Sequence, residues 1–258
     1  MEKLELIKEN AKKLKLDYLD TNASKVVQDA DGKSISYQQF LLNILEEEMK
    51  LKEEKAQARR LKNAGFPTLK TIEDFDLDFQ KSITQRQVNS LSELEWIDRM
   101  YNLIFLGPPG VGKTHLAIAL GYRAVEMGYK VSFVTMNDLM HCLKTQEISR
   151  KSKGKINKVL SSSLLIIDEL GYLPISREES NLFFQLITAL HEQASLIITS
   201  NKGLEDWTEL LGDPALTTAV LDRITHRCEL FNMSGKSYRL AHRESFFGEK
   251  PKEELEKD

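Results

Sequence analysis

The chain has 258 residues, 41% of them hydrophobic and 29% charged, which is enough to bury one α/β core with length left for a smaller appendage. Its formal net charge of -3 excludes a uniformly basic nucleic-acid coat, so any basic surface has to be local. Cys142 and Cys228 stand far apart, without a CxxC pair or a neighbouring histidine cluster, so neither a disulfide framework nor a zinc site is indicated. The opening "MEKLELIKENAKKLKL" lacks an apolar signal core and no window approaches about 18 apolar residues, so a soluble, cytoplasmic protein is expected.

In chain order, residues 1 to about 62 are rich in lysine and glutamate and carry helical periodicity. Leu4, Ile7, Ala11 and Leu14 predict one amphipathic helix, and Leu42, Leu45 and Met49 a second. Asp31-Gly32 signals a turn between them, Ser36 is placed to cap the second helix, and Gly65 with Pro67 should stop it. This helical pair is too small for a core of its own and reads as a separate N-terminal domain over residues 1–65, contacting another subunit, a partner or DNA. A connecting strip with Phe75 and Phe79 and a helix around Val88 to Tyr101 follow. The runs "NLIFL", "VSFVT", "LLIID" and "SLIITS" then alternate with helical stretches, which predicts βαβ units and a parallel sheet covered on both faces, over residues 66–248. The charged segment 249–258 reads as a disordered tail.

The chemistry is concentrated in four places. Gly107, Pro108, Pro109, Gly110, Val111, Gly112, Lys113 and Thr114 spell a complete phosphate-binding loop, directly after the strand "NLIFL" and opening a helix whose apolar face is Leu116, Leu120, Ala124 and Met127. In such a loop glycines turn backbone N–H groups onto phosphates, the helix N-terminus adds positive dipole, Lys113 reaches the outer phosphates of ATP and Thr114 offers a hydroxyl to Mg²⁺. Asp168 and Glu169 end the strand "LLIID", the first suited to Mg²⁺ and the second to orienting or deprotonating an attacking water, so ATP hydrolysis is the favoured reaction. Asn201 ends the next apolar strand, where its amide could meet the γ-phosphate or that water. Arg223 and Arg227 fall four residues apart on a helix started by Asp213 and Pro214, and either could stabilise phosphoryl transfer in a neighbouring subunit. Asn201-Lys202-Gly203 is followed by Leu204, which does not support guanine selection, and no arginine-rich lid of a small-molecule kinase is found.

Taken in order, these features resemble the AAA+ ATPases over roughly Phe66 to Leu240. Within that class the stretches "GFPTLKTIEDFDLDF", "NLIFLGPPGVGKTHLAIALG", "IIDELGYLP", "SN" at Asn201 and "LDRITHRCELFNMSGKSYR" resemble the IstB-like branch, the ATP-binding helpers of insertion-sequence transposition, together with the DnaC-like helicase loaders. The resemblance implies that Phe75 lies near the adenine, that His115, directly after Thr114, belongs with the nucleotide contacts, that Asn201 is a sensor, and that Arg223 is the leading candidate for the finger, ahead of Arg227. It also implies that the C-terminal helical lid of most AAA+ proteins is absent. The expected output is a ring or helical filament with ATP sites shared between subunits, bound to double-stranded DNA and acting on a cognate transposase; a helicase loader is the alternative, and a small-molecule kinase a remote third. Lys144, Arg150, Lys151, Lys153, Lys155 and Lys158 face a single acid, Glu147, within one segment, and without interleaved aromatics they predict backbone contact with DNA rather than base reading.

Overall fold

In the computed structural model, residues 2–32, 35–171 and 175–243 are described. The chain divides into two compact units, Met1–Arg59 and Arg60–Asp258. The first holds helices α1 (Glu2–Lys13) and α2 (Asp17–Asp31) and most of α3 (Tyr37–Ala64). Where one helix was expected before Asp31, the chain breaks at Lys15, whose φ is 57°. The break is stabilised from a distance: the Glu48 carboxylate, 2% exposed on α3, accepts hydrogen bonds from the backbone N–H groups of Asp17 and Tyr18 at 2.8 Å and of Leu19 at 3.4 Å. These are the orphan donors at the start of α2, satisfied by a remote anion instead of a local cap. Ser36 caps α3 as expected, accepting from the Gln39 N–H, and α3 ends before Gly65, at φ 75°. Leu42, Leu45 and Met49 point outward, each between 47% and 70% exposed.

The second unit continues with α4 (Gln85–Ser92) and α5 (Glu95–Asp98), where a single helix from Val88 to Tyr101 was expected. Leu94 adopts φ 63° and buries its side chain, at 1% exposure, so a core contact overrides helical continuity. The remaining elements are β1 (Asn102–Leu106), α6 (Lys113–Glu126), β2 (Val131–Thr135), α7 (Met136–Thr145), α8 (Arg150–Leu160), β3 (Leu164–Leu170), α9 (Arg177–Leu190), β4 (Ser195–Ser200), α10 (Trp207–Leu211), α11 (Pro214–Thr225), β5 (Cys228–Asn232) and the short α12 (Tyr238–Ala241). All strand pairs are parallel, in the order β2-β3-β4-β1-β5. Alternate residues of each central strand enter two cores. Leu103, Phe105, Ile166 and Ile197 pack against α4, α5 and α6, while Ile104, Ile167 and Ile198 pack against α7 to α11. Continuous burial of β1, β3 and β4 follows from helices on both faces. β5 lies at an edge with mixed burial, which is why its sequence "CELFN" carries no apolar run to mark it as a strand. Met127, expected on the buried face of α6, is instead 58% exposed beyond the helix end, whereas Leu116, Leu120 and Ala124 are fully buried.

The order of strands positions the chemistry. β4 separates β1 from β3, so the residues ending β4 lie between the glycine loop after β1 and the acids ending β3. Of the expected features, Tyr172 to Pro174 of "IIDELGYLP" and the segment 249–258 lie outside the described residues.

Candidate nucleotide site

The loop after β1 is held open by positions that tolerate no side chain. Gly107 has φ 146° and a Cβ there would overlap the Met233 carbonyl oxygen; Gly112 has φ 96° and a Cβ would sit 2.8 Å from the Phe75 ring. Gly112 is the N-cap of α6 and offers no side chain to its first N–H groups, leaving them for an anionic ligand. Lys113, only 8% exposed, donates to the carbonyls of Gly107 at 2.6 Å and Pro108 at 2.8 Å. Burial lowers its pKa, Asp168 opposes that shift and the nearby Arg239 adds to it. Anionic oxygens in place of those two neutral acceptors would bind the ammonium more strongly.

Asp168 and Glu169 differ sharply in setting. Asp168 is 4% exposed, and its Oδ1 accepts from Thr114 Oγ1 at 2.9 Å and from Thr199 Oγ1 at 2.6 Å. The register of β3 against β4 shifts between Ile167 and Leu170, and at this bulge Glu169 takes φ 62°, in the left-handed region that a residue with a side chain rarely adopts. The Thr199 hydroxyl accepts the Glu169 N–H at 3.1 Å, fixing the strained turn that leaves the Glu169 side chain exposed. Thr199 was not singled out in the sequence, because a threonine inside "SLIITS" looks like any β-branched strand residue. Asn201 follows at the end of β4 with its Oδ1 buried and without a partner among the described residues, 3.0 Å from where a Cβ on Gly171 would lie. A hydroxyl pair on a buried carboxylate suits a hydrated divalent cation, and the orphaned amide oxygen can accept from a ligand or water.

Phe75 is buried under Gly112 and meets the His115 ring edge-on at a centroid distance of 5.4 Å. Phe75 also lines a cleft with Ile72, Leu77 and Ile83. His115 Nε2 lies 3.1 Å from the Thr71 carbonyl, and burial pushes its pKa down. The segment after β5 closes over the loop, with Met233 N–H donating to Leu106 O at 2.7 Å and Tyr238 N–H to Gly110 O at 2.9 Å, and Gln80, upstream of α4, donates through Nε2 to Val111 O at 2.9 Å. Among the described residues α12 is the only helix after β5.

The arginines lie elsewhere. Arg223 is on α11, capped by Asp213, which accepts from Ala215 and Leu216 N–H, with Pro214 at the first position. Arg227 lies just beyond that helix, not on it, and its carbonyl accepts from Asn102 N–H at 2.8 Å. Both therefore stand where β1 begins, whereas Lys113 stands beyond where it ends, and five strand residues span about 16 Å. Asn102, buried at 7%, ties the end of α11 to the sheet by donating to Ile224 O and accepting from Leu196 N–H. The Arg223 guanidinium rests over the Phe184 ring, 4.7 Å from its centroid, and Arg227 Nη1 reaches the Arg99 carbonyl at 3.3 Å.

The basic segment forms α7's end and α8, with Ser152, Ile156 and Val159 buried. Acids from other elements neutralise part of it: Lys144 pairs with Glu179 at 2.7 Å and Lys155 with Asp138 at 3.3 Å, while Lys158 reaches Asn63. Arg150, Lys151 and Lys153 are exposed and have no ion-pair partner among the described residues.

Comparison with known proteins accounts for this combination. A profile of the family described as IstB-like ATP binding protein matches residues 9–245. A protein of insertion sequence IS21 from Pseudomonas aeruginosa, named for ATP binding, is 41% identical over 228 residues, covering 88% of this chain and 86% of that one. A similarly named protein of IS5376 from Geobacillus stearothermophilus is 39% identical, covering 92% and 94%. Among solved structures, DnaI shares the fold with a TM-score of 0.54 at 18% identity, over 64% of this chain and 91% of that one. No helix among the described residues is long and apolar enough to cross a membrane. The chain belongs to the IstB-like family of ATP-binding proteins, of the kind found in insertion sequences, and shares its α/β fold with DnaI.

Proposed function

We propose that this protein hydrolyses ATP at sites shared between subunits, assembles in that way on double-stranded DNA, and there recruits or stimulates the transposase of its element. The observation that carries the reading is the distance between half-sites: Arg223 and Arg227 stand at the opening end of β1 and Lys113 beyond its closing end. An arginine side chain does not bridge about 16 Å along the sheet, so these arginines serve the loop of another copy. In that loop Lys113 and the N-terminus of α6 bind the phosphates, Phe75 and the mixed polar and apolar cleft beside it receive the base, and Thr114 with Asp168 would hold Mg²⁺. The bound ion supplies charge neutralisation of the phosphates. Glu169, held out of the strand by its bulge, takes the proton of the attacking water, and Asn201 orients that water. Release of the assembly follows hydrolysis, and Arg150, Lys151 and Lys153 of α8 contact the DNA backbone without reading bases. The insertion-sequence names of the relatives support the transposition context.

The test measures ATP hydrolysis with and without duplex and single-stranded DNA, and images the protein with a non-hydrolysable analogue. Duplex-stimulated turnover and an analogue-dependent oligomer are expected; a monomer indifferent to DNA would sink the proposal, and a response to single strands alone would favour a helicase loader. Mixing Arg223→Ala with Lys113→Ala protein should restore part of the activity that each lacks alone.

A further inference from the structure

At the edge of the sheet where the strands begin, two helices end side by side, α9 at Leu190 and α11 at Thr225. The residues just beyond them, His191, Glu192 and His226, bring one donor atom each to within 4.8 Å of one another. Among the described residues no other trio of His, Cys, Asp or Glu side chains does so. The two imidazole rings lie 6.0 Å apart between centroids, and all three residues line one cavity with Met100 and Asn102. Glu192 adopts φ 54°, a conformation that a glutamate rarely takes in a turn where any residue would serve. The carbonyl ends of two helices favour positive charge here. Two guanidiniums border the same cavity, yet both are engaged at other partners: Arg223 over Phe184 and on Ala219 O, Arg227 on Arg99 O.

We propose that His191, Glu192 and His226 form a binding site for a borderline transition-metal dication, with zinc as the reference ion. Two imidazoles and one carboxylate suit such an ion, whereas Mg²⁺ and Ca²⁺ seek oxygen-rich sets and soft ions seek thiolates. Metal–ligand bonds of about 2.0–2.2 Å put the donors of a tetrahedral site about 3.4 Å apart, so donors separated by up to 4.8 Å have to close by as much as about 1.4 Å, a movement open to the exposed Glu192 and His226 side chains by rotation. Three protein ligands leave a fourth position open to water or to a donor from another molecule. An ion held there clamps the end of α9 to the end of α11 and so fixes the base from which Arg223 and Arg227 project. The ligands come from positions 191, 192 and 226, a separation that has no signature along the chain.

The site is tested on the full, tag-free chain, stripped with chelator and free of nucleotide, by Zn²⁺ calorimetry and by Co²⁺ as an absorbing probe. One saturable site, Co²⁺ bands of an imidazole-ligated ion, and a higher melting temperature with metal are expected. Glu192→Gln should weaken binding at least about tenfold, and the double change His191→Gln with His226→Gln should abolish it, while metal-free melting stays as in the unaltered protein. Absence of saturable uptake, or uptake unchanged in the double variant, overturns the proposal.

Discussion

Replacing Thr199 by valine tests how the acidic end of β3 is built. The substitution keeps the shape and β-branching but removes a hydroxyl that donates to Asp168 Oδ1 at 2.6 Å and accepts from Glu169 N–H at 3.1 Å. A bond to a buried carboxylate contributes about 1.5–3 kcal/mol and a neutral one about 0.5–1.5 kcal/mol. Taken together, with Asp168 buried at 4% exposure, the loss should be about 2–4 kcal/mol, or a fall in melting temperature of roughly 5–15 °C. Urea unfolding followed by tryptophan fluorescence reads it directly: Trp96 and Trp207 lie in the two cores on opposite faces of the sheet. Thr199→Ser should recover most of the loss, and Thr199→Val should bind ATP while turning it over more slowly, since the Glu169 turn loses its support. A valine variant that unfolds within about 0.5 kcal/mol of the unaltered protein, or a serine variant no better than valine, would refute the bridge.

Glu48→Ala should cost about 1–3 kcal/mol by freeing three N–H groups at the start of α2, and amide exchange at Asp17 to Leu19 should quicken while the sheet amides stay protected. Gly107→Ala should abolish ATP binding, measured with a fluorescent analogue, because the new Cβ collides with the Met233 backbone at φ 146°; normal affinity would mean that the segment after β5 yields freely. Burial holds the His115 pKa below its ordinary 6.5, so the unfolded chain takes up the proton first as pH falls. Stability from this group is complete above pH 6.5 and declines below it, and His115→Gln should flatten the acid limb of a melting-temperature profile.

The strands β1 to β4 were legible because burial between helices makes them mostly apolar, and the loop, Asp168, Glu169 and Asn201 stood out because each ends or directly follows an apolar run. β5 was not legible, since its residues are mostly exposed and include a charge, whereas β2 at the opposite edge is nearly all buried. The break at Leu94 was hidden for another reason: helical periodicity continues through it, and only the depth of its pocket decides. Thr199, Asn102 and Glu48 share a third cause. Each acts by hydrogen bonds to residues 29 to 122 positions away, and nothing local distinguishes such a residue from a strand threonine, a turn asparagine or a surface glutamate. The basic segment shows the same limit in reverse, for Glu179 and Asp138 are invisible to a charge count over Lys144 to Leu160.

The strand that carries Glu169 in one half of the proposed shared site and the helix that carries Arg223 in the other border one packed cluster within each chain. Ile167 and Leu170, on either side of the Glu169 bulge, lie in the same core as Phe183, Leu186 and Ile187 of α9 and Val220 and Ile224 of α11. Such an interior has little free volume, so a displacement at one side is passed on instead of absorbed. In an assembly, drawing Arg223 toward a neighbour's phosphates loads α11, and α11 packs on the core that also carries the strand supporting this chain's own Glu169. Arg223 additionally rests on Phe184 of α9, which gives the load a second route. Hydrolysis at successive interfaces is therefore expected to be coupled, and the coupling has a measurable sign: Phe184→Leu, which removes the ring but keeps an apolar side chain, should lower the Hill coefficient for ATP more than it lowers affinity for ATP. An unchanged Hill coefficient with normal assembly would separate the two half-sites and refute the mechanical link.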